Sequence, residues 1–520
     1  MATVSRSNAP GTRQGEREAA LIDLRHTLDW MGDEVHVIGA PVDPIVEMAA
    51  ISKAFDNSKA LVAENVRDYP DARLISNLWA TKERCARLFG VDEFRDIKFK
   101  LLDSLRAPVA PREVARGEAP CQEVVLERDA IARIEDVLPL CTHTEDDGGR
   151  FFGNGVHFIG PPWVPGGGTQ FSFYRMAFRE GQEYASINMV PGGQGDAVCR
   201  RWPGEKIPVT VNICPPPAIE MLGYSTFNSI VFPGFTDEIG MAGALQGSPV
   251  EIVKARTVDA YAIARSEWVL EGYILEGQRV WETDEAEALG RQGEAPLHPE
   301  WARYMGRAYR TPRAFELTAI TRRADKPYFF VPILGSIWYQ CSYVCASIYE
   351  MCERMALGFV QDVAIWTGLT NWGGVVIQVR KQRRSDEGLQ RNVMGAVMTT
   401  HRGLRLCVVV DEDIDIWEPE DVVWAMESRV SPGRDIVVYN EFSRGQAFQP
   451  SELKTGQISV SDGGIGLDAT VPVEHRERYR RAVYPTADLD LSRWFTDAEC
   501  EDLRSRQDPY FRYLAKTGYA

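Results

Sequence analysis

From Gln122 to about Arg323 the chain is a succession of short β-prone runs closed by glycine or proline, and that spacing constrains its fold more than anything else. Val124–Leu126, Val156–Ile159, Gln170–Phe178, Tyr184–Val190 and Val209–Cys214 are the first of them. Such runs suit a partly closed, barrel-like sheet better than a doubly wound one. Further on, Ile239, Met241, Ala242 and Leu245 precede Gly247, which predicts a short helix with its stop signal. The strand after it, Pro249–Val253, alternates Val250 and Ile252 with Glu251 and Val253, so one carboxylate leaves an otherwise apolar strand. A β-rich run, Glu267–Tyr273, closes this unit.

The flanks read differently. Residues 1–18 are polar and Gly/Pro-bearing and are expected to be disordered. Helices and strands then alternate over 19–112, beginning with an amphipathic helix at Ala19–Met31 and a strand at Glu34–Ile38, which predicts a small α/β domain ending at the Pro-bearing stretch Ala107–Arg112. The barrel-like region takes 113–327, a second α/β domain 328–490, and a C-terminal helix 491–520, opened by a Thr496…Glu499 capping box and suited to packing on a partner subunit. The whole is a mixed α+β chain. Between Glu271 and Glu294 an acidic segment reads as a solvated surface excursion, or one that shapes substrate access. Asp411, Asp413 and Asp415 read as a strand end and turn rather than a metal site.

A formal charge of −16 argues against nucleic acid or an anionic membrane as partner. No apolar run approaches the roughly 20 residues of a membrane span, and the N-terminus lacks a signal-peptide core, so the expected location is cytoplasmic. Ten cysteines without a CxxC pair read as buried reduced thiols, and the seven histidines never fall in ligand-like pairs, so any metal site must lean on oxygens.

In Gly166–Phe178 three glycines free backbone amides for close approach, and the strand after them sets Thr169, Phe171, Phe173 and Arg175 on one face, with Gln170, Ser172 and Tyr174 on the other. Amides plus one arginine suit an anion, although by periodicity alone Arg175 is an ordinary exposed strand arginine. The residues of Gly293–Trp301 likewise read, by themselves, as a solvated loop.

Several phrases resemble the UbiD-type decarboxylases, whose words ELAGAL, VELVK, TVD and IVLEG correspond to 239–245, 250–254, 257–259 and 268–272. The likeness runs from about Leu21 to Asp468 and includes DLRHTLDW near the start and DEDIDIWEPEDVVWAMESRV near the end. It implies an N-terminal α/β domain, a central split β-barrel that holds the flavin, and a C-terminal α/β oligomerisation domain. The implied activity is reversible, non-oxidative decarboxylation of an aromatic, heteroaromatic or α,β-unsaturated carboxylic acid on prenylated FMN, supplied by a flavin prenyltransferase. A homodimer or higher homo-oligomer is implied as well.

Residue by residue, the resemblance assigns Arg175 to the substrate carboxylate. It assigns Thr169, Gln170, Phe171, Ser172 and Tyr174, then Pro191, Gly192, Gly193 and Gln194, and also Arg402, to the cofactor. Glu300 becomes the proton donor, Glu294 the carboxylate that pairs with Arg175, and His298 a group that shares or replaces the proton role. Glu251 matches a metal and cofactor ligand; Gln170 stands where the family has a metal-binding asparagine, and Gly193 where it has a metal-binding histidine. A divalent metal such as manganese, with K+, is therefore implied with an altered ligand set. Ile337, Trp338 and Tyr339 form an aromatic wall that suits a flat ring or a buried contact equally. Two alternatives stand beside this reading: a non-catalytic subunit of a multi-subunit carboxylase, motivated by Gln170 and Gly193, and a decarboxylase of an acyl-CoA-linked aromatic acid.

Overall fold

The computed structural model describes residues 20–159, 170–182, 184–189, 193–223, 231, 236–291, 293–300, 303–308, 312–333, 338–369, 373–401, 403–443, 461–482 and 490–505. Two compact units emerge, Met1–Ala346 and, for the most part, Ser347–Ala520.

In the first unit, parallel strands Val35–Ile38 and Ala60–Ala63 are followed by Arg73–Ser76, which pairs in turn with Tyr328–Phe330 from much later in the chain. Asp23 caps the helix Leu24–Met31 by accepting the amide of Arg25, so the amphipathic run read as one helix from Ala19 is interrupted there.

The centre of this unit is a nine-stranded antiparallel sheet in the order Arg150–Phe152, Arg175–Phe178, Ala185–Asn188, Arg313–Arg322, Trp268–Arg279, Lys206–Ile213, Gly155–Ile159, Phe171–Phe173, with Val124–Glu127 added to Arg313–Arg322. Phe171–Phe173 lies at one end of that order and Arg175–Phe178 next to the other, yet only Tyr174 separates them in sequence. One residue therefore carries the chain between the sheet's two margins, which bends it into the partly closed barrel expected from the short runs.

Only the second part of the acidic segment 271–294 is a solvated excursion: residues 284–285 and 287–291 are exposed, whereas the part up to Glu282 is built into the fold. Trp268–Arg279 is a twelve-residue strand inside the sheet, and Glu271, Glu276 and Glu282 are buried, each with a partner. Glu271 accepts the amides of Arg256 and Thr257 at 2.7–2.9 Å, and Glu276 pairs with Arg313. Composition shows the charges but not the arginines and amides that receive them.

Helix Pro217–Gly223 is buried along its whole length and holds Glu220, whose carboxyl meets Asn154 and Trp79. Burial pushes this carboxyl up from 4.5 to about 7. Because the native state keeps the proton to higher pH than the unfolded chain, the group costs nothing below about pH 4.5 and its full penalty, on the order of 3 kcal/mol, only above about pH 7. Glu220→Gln is expected to narrow the fall in melting temperature between about pH 5 and about pH 8. An unchanged difference between the two conditions would refute the assignment.

The second unit has a five-stranded sheet ordered Val360–Ala364, Gly374–Val379, Leu406–Asp411, Ser461–Ala469, Ile436–Ser443, its three middle strands parallel. Arg429 takes Asp413 at 2.6 and 3.0 Å and Asp411 at 3.3 Å, while Asp415 accepts the amide of Trp417, so these acids form a strand end and turn as expected. All ten cysteines are buried and free. Among the described residues no helix is long and apolar enough to cross a membrane.

Candidate active site

Arg175 opens its strand at the sheet's margin, and its guanidinium is saturated. Nε and Nη2 donate to the two oxygens of Glu282 at 2.9 Å each, and Nη2 also donates to the carbonyl of Arg307 at 3.0 Å. Nη1 donates to Glu300 Oε1 at 2.7 Å and faces His298 Nε2 at 3.2 Å. The five N–H groups of an arginine are thus all committed.

Two local structures deliver these partners. Glu282 lies just past the strand Trp268–Arg279 and just before Thr283, whose hydroxyl caps the helix Asp284–Leu289 by accepting the amide of Ala286. His298 lies on the strand Pro296–Pro299, paired with Met305–Arg307, and Glu300 follows it directly, with His298 Nε2 and Glu300 Oε1 3.6 Å apart. At the turn, the Glu300 amide donates to the Tyr304 carbonyl at 2.8 Å.

Gly306 lies where any side chain would strike Glu300. A Cβ there would stand 2.4 Å from Glu300 Cγ and 2.9 Å from its Oε1. Gly306→Ala is therefore expected to push Glu300 off Arg175 and lower turnover by at least about tenfold with the fold retained, as steady-state kinetics beside a melting curve would show. Full activity in that variant would mean that the position of Glu300 is immaterial.

His298 is fixed from both sides. Its Nδ1–H donates to the Pro299 carbonyl at 2.8 Å, leaving the Nε2 lone pair toward Arg175, and its ring stacks on Phe151 with centroids 4.1 Å apart. His143 also lies against Phe151, its ring centroid 4.7 Å away and tilted by 35°. Burial, and then the Arg175 charge, hold His298 well below the usual imidazole range, so it is neutral near pH 7 and not a proton donor there.

Glu294 is not the partner of Arg175. It is half exposed and pairs with Arg291 three residues away, whereas Glu282 is buried and takes Arg175 with both oxygens. Glu251 is corrected too. It belongs to a separate three-stranded sheet, and its carboxylate is taken up by Arg112 and by Arg265 Nε at 2.7 Å. From there alternating charges continue through Asp23 and Arg323 to Glu267 and Arg25, so the acid that leaves the apolar strand serves an ion-pair chain instead of a metal.

A second group of polar side chains surrounds the Tyr174 hydroxyl. It accepts the Gly195 amide at 3.1 Å and Gln170 Nε2 at 3.4 Å, and a Cβ at Gly195 would come within 2.3 Å of it. Burial, with a smaller contribution from the nearby Glu238 carboxylate, pushes the phenol up. Gln170, Gln194 and Glu238 are all at least nine-tenths buried, and the side-chain oxygens of Gln170 and Gln194 receive no hydrogen bond. Two buried carbonyls without donors, one on the side chain that bonds the phenol and one on the residue before Gly195, together with a carboxylate that acts on the same phenol, suit an oxygen-preferring divalent cation, so these residues fit one although Gly193 brings no imidazole. Ser172 Oγ donates to the Gly223 carbonyl at 3.1 Å. Phe171 pairs with Phe158 through its backbone. Thr169, Pro191, Gly192, Ile337 and Arg402 lie outside the described residues, as do the side chains of Phe171, Trp338 and Tyr339.

Three family profiles match consecutive parts of the chain: the N-terminal domain of 3-octaprenyl-4-hydroxybenzoate carboxy-lyase over 30–101, its Rift-related domain over 112–336 and its C-terminal domain over 338–469. The chain belongs to the UbiD family. A gallate decarboxylase of Lactiplantibacillus plantarum is 28% identical over 490 residues, covering 89% of this chain and 96% of that protein. The apo structure of a 3,4-dihydroxybenzoic acid decarboxylase from Enterobacter cloacae superposes with a TM-score of 0.79 at 27% identity, over 92% of this chain and all of that one. A UbiD-class enzyme of Pelotomaculum thermopropionicum, solved with FMN, gives 0.76 at 25% identity, over 91% of this chain and all of the other. These UbiD structures share the mixed α+β architecture with its half-barrel sheet.

Proposed function

We propose that this UbiD-family chain is a carboxy-lyase that removes CO2 from an aromatic or heteroaromatic carboxylic acid with a flavin, specifically prenylated FMN. The observation that carries the reading is Arg175 clamped between the carboxylates of Glu282 and Glu300 beside a neutral imidazole. Decarboxylation of an arene leaves electrons that need a sink, which the prenylated flavin supplies when bound.

The residues divide the remaining work. Glu282 holds Arg175 through two parallel hydrogen bonds and is fully buried, so it sets the direction of the guanidinium. Glu300 accepts one hydrogen bond from Arg175, through Oε1 alone. An incoming carboxylate gains an N–H of Arg175 Nη1 by replacing Glu300 Oε1. Once displaced, Glu300 loses its cation and stands in a buried place next to another carboxylate, and both changes favour its protonated form. Its proton then goes to the ring carbon as CO2 leaves, so that a carboxylate and a proton become an arene and CO2. His298 accepts from Nη1 and keeps the guanidinium in plane. Gln170, Gln194 and Glu238 are the side chains suited to a divalent cation, with K+ a further candidate, and the expected assembly is a homodimer or larger.

The test is co-expression with a flavin prenyltransferase, followed by a panel of hydroxybenzoates and heteroaromatic acids monitored for CO2 release. Stoichiometric flavin and turnover of at least one acid support the reading. A protein that takes up no flavin would overturn it in favour of a structural subunit, and turnover of CoA thioesters alone would move the substrate to the acyl-CoA class.

A further inference from the structure

Among the described residues no three His, Cys, Asp or Glu side chains converge on one point, so the group around Tyr174 lacks an obvious nitrogen ligand. His157 changes that. It sits on the strand Gly155–Ile159 and pairs with Ser172 on Phe171–Phe173. Directly opposed residues of an antiparallel pair project to the same face, so its ring lies on the face of Ser172 and Gln170. The ring also meets Tyr174 edge-on, with centroids 5.3 Å apart.

His157 is fully buried, and its two nitrogens are used unequally. Nδ1 lies 2.9 Å from the Gly155 carbonyl, which can only accept, so Nδ1 carries the proton and Nε2 keeps its lone pair. Nε2 is buried and has no hydrogen-bond partner. A ring nitrogen fixed by a backbone carbonyl while the other offers a bare lone pair is the arrangement of a metal-ligating histidine. As a core residue alone, His157 leaves a polar atom unsatisfied in a place where valine or isoleucine would cost nothing.

We propose that His157 Nε2 is the nitrogen ligand of a divalent cation whose oxygen ligands are Gln170, Gln194 and Glu238. The inference rests on the cation reading of that cluster, but it does not depend on which acid is decarboxylated. One imidazole with three oxygens suits manganese, which tolerates both donor types.

Metal-depleted full-length protein titrated with Mn2+ alone provides the test, read by pulsed electron paramagnetic resonance for nitrogen coupled to the manganese. The expected result is one bound Mn2+ with an imidazole nitrogen coupling that shifts when histidine is supplied as the 15N form. His157→Asn keeps a donor for the Gly155 carbonyl but removes Nε2, and is expected to lose the coupling together with at least about tenfold in Mn2+ affinity. His157→Gln serves if the first variant does not fold, as judged by melting. Manganese bound without nitrogen coupling, or coupling that survives in either variant, overturns the role of His157 and leaves the oxygen site standing. No manganese bound at all overturns the site as a whole, while CO2 release from the flavin-loaded protein is scored separately.

Discussion

Glu300→Gln is expected to lower kcat by about 10²–10⁴-fold while the protein stays folded and keeps its flavin. Glutamine has nearly the volume of glutamate and its amide oxygen can still accept from Arg175 Nη1, where Glu300 Oε1 now lies at 2.7 Å. What it lacks is an acidic proton. Single-turnover measurement separates this loss from a binding defect, because a variant that binds substrate normally but releases no product has lost the chemical step. Replacement of the acid without any fall in kcat would remove Glu300 from the reaction. A change confined to KM would make it a binding group.

Arg175→Met is expected to act on folding and on catalysis together. Without the guanidinium, buried Glu282 and nearby Glu300 face each other with no cation between them, and stranding a buried charge in this way costs about 3–5 kcal/mol. Denaturant unfolding near neutral pH should show that loss. The stricter control is Arg175→Met combined with Glu282→Leu. Removing both partners is often nearly neutral for stability, so the double variant should regain most of the stability but none of the turnover. A single variant as stable as the parent would mean that the clamp carries little of the local energy; turnover by the double variant would exclude Arg175 from substrate binding.

Arg175, His298 and Glu300 were legible only through the family resemblance, because periodicity alone makes Arg175 an exposed strand arginine and Gly293–Trp301 a solvated loop. Glu282 was not, since it lies eighteen residues ahead of Glu300 beyond a helix and a segment whose composition reads as solvated. Glu251 shows the same limit from the other side. Alternation along its strand correctly isolates a carboxylate, but its receivers, Arg112 and Arg265, lie 139 and 14 residues away. Strand periodicity reports which face a residue takes, and pairing across the sheet decides what it meets there. His157 illustrates this most plainly, for it looks like one more position in an apolar run until Ser172 is laid opposite. The strand Ser461–Ala469 was hidden for another reason: its Ser-Asp-Gly-Gly start carries the composition of a turn.

The most direct test of the account is a crystal structure of the flavin-loaded Glu300→Gln protein with a substrate acid bound. The account predicts the acid's carboxylate within hydrogen-bond distance of Arg175 Nη1, residue 300 swung away from it, and Glu282 still holding Nε and Nη2. A carboxylate seated elsewhere, with the contact between residue 300 and Arg175 unbroken, would contradict it.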